Sequence, residues 1–134
     1  MVFMKKDRLL NKEIIAEVAA LGHTEYFVIC DCGLPIPKGV KVIDISIKAG
    51  NPKFLDVLDA VDDELVVESI ILASEIDEKS PALAKEMEAR FPLSVTKKVP
   101  HEEFKELTKN AKCIVRTGET TSYANVILIG GVNF

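Results

Sequence analysis

Short β-branched and aromatic runs alternate along this chain with stretches whose apolar residues repeat at helical spacing, and that alternation constrains the fold more than any other feature. Residues 26–30 (Tyr-Phe-Val-Ile-Cys), 42–47, 65–72, 93–99, 113–116 and 125–129 have the length and composition of buried strands. Between them, residues 11–21 carry Ile14, Ile15, Val18 and Ala19 on one face, with Lys12, Glu13 and Glu17 left for water. Asn11 is placed to cap that helix and Gly22 to end it in the left-handed conformation. Residues 52–61 set Phe54, Leu55, Val57, Leu58 and Val61 on one helical side. Ser80-Pro81 opens a helix in a cap-then-proline pattern that runs to Phe91, and residues 101–110 form a shorter one with Glu102 and Glu103 in its first turn.

Alternation of this kind defines an α/β fold, a predominantly parallel or mixed β-sheet covered by helices. No helix separates the last two strands, which favours a mixed sheet. With 134 residues and no internal repeat or linker, the whole chain (1–134) is expected to be one domain. A chain of this length buries roughly two-thirds of its unfolded surface and needs no disulfide or metal staple.

Charge and motifs narrow the function. The net charge of −4, with no basic stripe to offset it, argues against nucleic acid as a partner. The start, Met1 to Asp7, lacks the apolar core of a secretory signal, and the apolar run 126–132 is far short of the ~20 residues a membrane span requires. Membrane association is not expected. Three cysteines in no paired CxxC pattern fit reduced thiols in the cytoplasm, and the C-x-C at 30–32 should put one thiol in the core and one in a loop. No cluster supplies the four or so ligands of a zinc site. GxSxG, P-loop, GxGxxG and HExxH motifs are all absent, so neither a metal nor a cofactor is expected.

What remains is a set of imidazoles, a carboxylate and neutral donors. His23 and His101 are the only histidines. His23 follows a helix end, where the dipole favours the charged ring; His101 opens a helix, where it favours the neutral one. Such a pair suits proton shuffling, although both positions can equally be helix caps. Asp31 ends an apolar strand before the stiff loop Leu34-Pro35-Ile36-Pro37, either as an Asx-turn former or as a fixed acceptor for a ligand hydroxyl. Tyr123 and Asn125 offer a hydroxyl and an amide at alternate positions, or form a polar turn. Arg116 reads as structural. Asp31, His101 and the 117–124 loop all follow strands, the edge where open α/β sheets gather ligands.

Several segments carry a resemblance. Leu21-Gly22-His23-Thr24-Glu25, Cys30-Asp31-Cys32-Gly33-Leu34-Pro35-Ile36-Pro37, the stretch around His101, and Arg116-Thr117-Gly118-Glu119 through Tyr123-Ala124-Asn125 are similar to the RbsD/FucU family of sugar mutarotases. The likeness runs from about Met4 to Phe134. It implies a cofactor-free, monosaccharide-binding isomerase that interconverts the β-pyranose and β-furanose forms of D-ribose. His23 would be the proton donor, with Asp31, His101, Tyr123, Ala124 and Asn125 binding the sugar. The family also implies ring-shaped homo-oligomers, commonly decamers, with sites between subunits. Departures from its pattern are Glu25, Cys32 and the three residues before Met4. A fucose-type mutarotase, a non-catalytic sugar-binding accessory of a transport system and a purely structural ring protein are the rival readings. One tension is geometric: eight strand steps would hold His23 and Asp31 about 26 Å apart. Either residues 23–25 fold back, or a neighbouring subunit completes the site.

Overall fold

The computed structural model describes residues 8–134, so the reading of residues 1–7 as lacking a signal lies outside it. The sheet has six strands in the order β2-β5-β1-β6-β3-β4. These are β1 (Tyr26–Cys30), β2 (Val42–Asp44), β3 (Val67–Ala73), β4 (Thr96–Val99), β5 (Ala111–Arg116) and β6 (Val126–Gly130). Strands β1 to β5 run parallel, while β6 lies antiparallel between β1 and β3. The sheet is mixed, as the missing last helix implied.

Among the described residues five α-helices flank it: α1 (Lys12–Ala20), α2 (Phe54–Asp62), α3 (Ile76–Lys79), α4 (Pro81–Arg90) and α5 (His101–Leu107). Alternating strand side chains feed two cores, one on each face. Phe27, Ile29, Val115, Leu128 and Leu72 pack with Ile14 of α1, Phe54, Leu58 and Val61 of α2, and Met87 of α4. Val28, Cys30, Ile114, Ile127 and Ile71 pack on the other face with Leu34 and Phe104 of α5. The C-x-C divides as expected: Cys30 is buried and Cys32 exposed. Burial, then Asp31 alongside, pushes the Cys30 thiol up to about 12, and burial does the same to Cys113.

Several expected boundaries shift for local reasons. Asn11 caps α1 as read, its Oδ1 accepting from the N–H groups of Glu13 and Ile14 at 3.0 Å. Gly22 does not end that helix in the left-handed region, because Leu21 already leaves it extended. Thr24, at φ 70°, makes the turn instead. The 42–47 run pairs only as far as Asp44, and residues 93–95 form a 3-10 turn ahead of the four-residue β4. The Pro92 carbonyl closes that turn, accepting from Val95 N–H at 3.1 Å and from the Thr96 hydroxyl at 3.0 Å. The helix α3 has no counterpart in the sequence pattern; four residues are too few to show a period. Among the described residues no helix is long and apolar enough to cross a membrane.

Candidate active site

Because β1 to β5 are parallel, the ends of β1, β4 and β5 fall on one edge of the sheet, beside the start of antiparallel β6. Asp31 leaves β1 there, His101 follows β4 across Pro100, and residues 117–124 join β5 to β6. The loops after β1 and β5 are fastened to each other. Buried Thr117 donates its hydroxyl to the Cys30 carbonyl at 2.8 Å, and Cys32 N–H donates to the Glu119 carbonyl at 2.9 Å. Gly118 fits because it has no side chain: a Cβ there would lie 2.3 Å from the Asn51 carbonyl oxygen. Between the loops is an open cavity of about 330 Å³, with Asp31, Gly33, His101, Glu119, Tyr123 and Asn125 among its lining residues.

Each group in the cavity is held by a contact that can be named. The Asp31 carboxylate accepts from Gly33 N–H at 3.0 Å, the Asx turn, while Asp31 N–H donates to Asn125 Oδ1 at 2.9 Å. The Asx turn forms and Asp31 also lines the cavity, so the turn does not exclude the acceptor reading. Burial raises its pKa, opposed by hydrogen bonds from Gly33 and Asn125 and by the nearby His101. A carboxylate so placed is a stronger base than an ordinary one.

His101 is the first residue of α5, as its sequence position implied. Its ring meets Tyr123 edge-on, with centroids 5.1 Å apart, and lies parallel to Phe104 at 6.4 Å. Its Nδ1 is buried and without a partner. Tyr123 is held at φ 62°, a left-handed backbone uncommon outside glycine, asparagine and aspartate. Asn125 N–H closes that turn by donating to the Tyr123 carbonyl at 2.9 Å. Ala124 differs from its neighbours. Its methyl belongs to the buried core and does not line the cavity, so it can offer a ligand only backbone.

His23 is at the other edge of the sheet. Thr24 N–H donates to the Gly130 carbonyl and Gly130 N–H to the Glu25 carbonyl, both at 2.9 Å, which ties residues 23–25 to the end of β6. The whole of β1 therefore separates His23 from Asp31, roughly 20 Å over the six steps from Glu25. The fold-back alternative is ruled out. The charged neighbour of His23 is Glu68, whose Oε1 lies 3.1 Å from Nε2, with both side chains about half exposed. This carboxylate, rather than the α1 dipole, is the charge that faces the ring, because the chain has left the helix two residues earlier.

Three further residues bear on the cavity. Glu119 lies in it and is locked in place, Oε1 accepting from Phe54 N–H at 3.0 Å and Oε2 from the Thr121 hydroxyl at 2.8 Å. Burial would raise its pKa, but these hydrogen bonds win and keep it below the usual range. Glu75 accepts from His101 N–H, and the Ser80 hydroxyl donates to the Ser122 carbonyl at 2.6 Å. Glu119 could have been flagged from its place in the Thr-Gly-Glu stretch; Glu75 and Ser80 gave no local sign. Arg116, read as structural, points to the Asp44 carboxylate at 3.4 Å. Among the described residues no three His, Cys, Asp or Glu side chains gather as a metal site.

The cavity thus offers a carboxylate, an imidazole, a phenol and an amide, a donor and acceptor set for an uncharged polar ligand. The chain belongs to the RbsD / FucU transport protein family, which matches residues 4–133. It is 53% identical to a D-ribose pyranase of Bacillus cereus over 131 residues, 98% of this chain and 100% of that one. A D-ribose pyranase of Geobacillus kaustophilus is also 53% identical, across 98% of this chain and 96% of its own. Among solved structures, Bacillus subtilis RbsD complexed with D-ribose superposes with a TM-score of 0.93 at 46% identity, covering 98% of this chain and 100% of that one.

Proposed function

We propose that this chain is an isomerase of the D-ribose pyranase type, interconverting the β-pyranose and β-furanose forms of D-ribose. The observation that carries the reading is the 53% identity to D-ribose pyranases over essentially the full length of both chains. A cavity furnished with Asp31, His101, Tyr123 and Asn125 is chemically consistent with it.

In the reaction a proton leaves the anomeric hydroxyl while another reaches the ring oxygen. The C1–ring oxygen bond breaks, leaving an open-chain aldehyde. A different hydroxyl then adds to C1, returning its proton, and closes the other ring size. No cofactor enters. Asp31, made more basic by burial, takes the anomeric proton; His101, Tyr123 and Asn125 hold the remaining hydroxyls. His23 supplies the proton to the ring oxygen. Since its own Asp31 lies across the sheet, the His23 that serves each cavity comes from a neighbouring subunit. That requirement supports a homo-oligomer, for which a decameric ring is the assembly proposed. Acid–base help of this type is worth ~10²–10⁴-fold, ample for a reaction that already runs in water. One domain over residues 1–134 and a cytoplasmic location complete the reading.

Saturation-transfer NMR on D-ribose tests it directly. Added protein should speed pyranose–furanose exchange; binding without faster exchange would leave a sugar-binding accessory in its place. A solution mass of 14.7 kDa alone would overturn the shared site.

A further inference from the structure

The segment between β3 and α4 contains two helix N-cap positions whose side chains make no cap. Glu75 precedes α3 and Ser80 precedes α4, yet neither side chain hydrogen-bonds to the helix it introduces. Ser80 in particular stands where a hydroxyl ordinarily accepts from its own helix. Both side chains reach across to the cavity walls instead. The Glu75 carboxylate receives His101 N–H on both oxygens, at 3.0 and 3.1 Å, and is steadied by the Ser74 hydroxyl at 3.2 Å. The largely buried Ser80 hydroxyl donates to the carbonyl of Ser122, the residue before Tyr123.

These two bonds hold the opposite sides of one contact. His101 and Tyr123 meet ring to edge at 5.1 Å, on loops that come from distant parts of the chain. Neither Glu75 nor Ser80 lines the cavity. Segment 74–80 is itself anchored, because Ser74 N–H donates to the Val99 carbonyl at 2.7 Å, joining the ends of β3 and β4. We propose that Glu75 and Ser80 are positioning residues, a bracket that fixes the spacing of His101 and Tyr123 and through it the affinity for the sugar. The affinity part of this inference rests on the ribose reading above; the spacing part does not.

A bracket acting on binding groups should alter KM and leave the proton donor untouched. In Glu75→Ala and Ser80→Ala the KM for D-ribose should rise about tenfold, with kcat within about twofold of the parent. Glu75→Gln and Ser80→Thr keep an acceptor and a hydroxyl and should restore most of the affinity. Asn11→Ala, which removes the α1 cap, provides a comparable loss of stability at a distance and should leave KM unchanged. A sugar-independent readout comes from the ring of His101, one of two histidines. Ring resonances of His101 sense the edge of Tyr123, so they should move in both alanine variants and stay in place in Asn11→Ala. His101 lines that stay in place in both variants would overturn the bracket, as would an equal KM rise in Asn11→Ala. Should the unmodified chain fail to speed ribose exchange, the pyranase reading falls, and the His101 lines still decide the spacing.

Discussion

The two edges of the sheet solve different problems with similar parts. At the carboxyl edge, Asp31, His101, Tyr123 and Asn125 are recessed and each is fixed by a neighbour distant in sequence. At the amino edge, His23 is half exposed and touches one half-exposed partner, Glu68. Each edge has a glycine with no room for a side chain: Gly118 against Asn51, and Gly130 against the Gly22 carbonyl, where a Cβ would come within 2.6 Å. Binding needs several groups held at once, which takes buried scaffolding. The proton donor proposed for another subunit has to project outward, and a single exposed contact leaves His23 placed to do so.

Breaking the division outright gives the largest effects. His23→Ala and Asp31→Ala should each lose nearly all acceleration, by ~10²-fold or more, but only His23→Ala should keep its affinity for ribose. Refolding the two inactive variants together should restore activity, with about a quarter of random subunit pairings joining an intact His23 to an intact Asp31. No recovery, after mass measurement has verified mixed oligomers, would confine both residues to separate roles. Asn125→Ala should be next. It leaves the part-buried Asp31 N–H without its acceptor and removes a buried amide, and chemical denaturation should show a loss of about 1–3 kcal/mol.

Asp31→Asn sharpens the comparison through stability. Burial raises the Asp31 pKa in the folded state, so its stabilising contribution is present below the unfolded pKa and is lost as pH rises through the folded one. The asparagine variant should therefore melt higher than the parent at neutral pH, with the advantage vanishing in acid, while activity falls. Equal melting curves at neutral pH would remove the burial penalty. The smallest effect belongs to the amino edge. Glu68→Gln breaks an exposed pair and should cost under ~1 kcal/mol, with ribose affinity unchanged.

Which features can be read in the sequence follows from how far their causes reach. The Asn11 cap, β1 and the apolar side of α2 depend on residues a few places apart, and each is legible. The carboxyl-edge cluster is legible too, since parallel strands carry their following residues to one side. Ser80 reads as a cap and is not one, because its partner, Ser122, is 42 residues away. The charged neighbour of His23 reads as a helix end, when the group its ring faces is Glu68, 45 residues on. Strand order is invisible for the same reason, β6 being paired with β1 and β3 rather than with its predecessor.

That placement of β6 governs when the sheet can exist. Strands β2, β5 and β1 form one ribbon and β3 and β4 another, and among the described residues only β6 bonds to both. It is also the last strand in chain order, so during synthesis the two ribbons keep open edges until the ribosome has released residues 126–130. The seam and the cavity close together, because residues 117–125 lead directly into that strand. A chain stalled before β6 would carry His101 and Asp31 and still have no pocket to put them in.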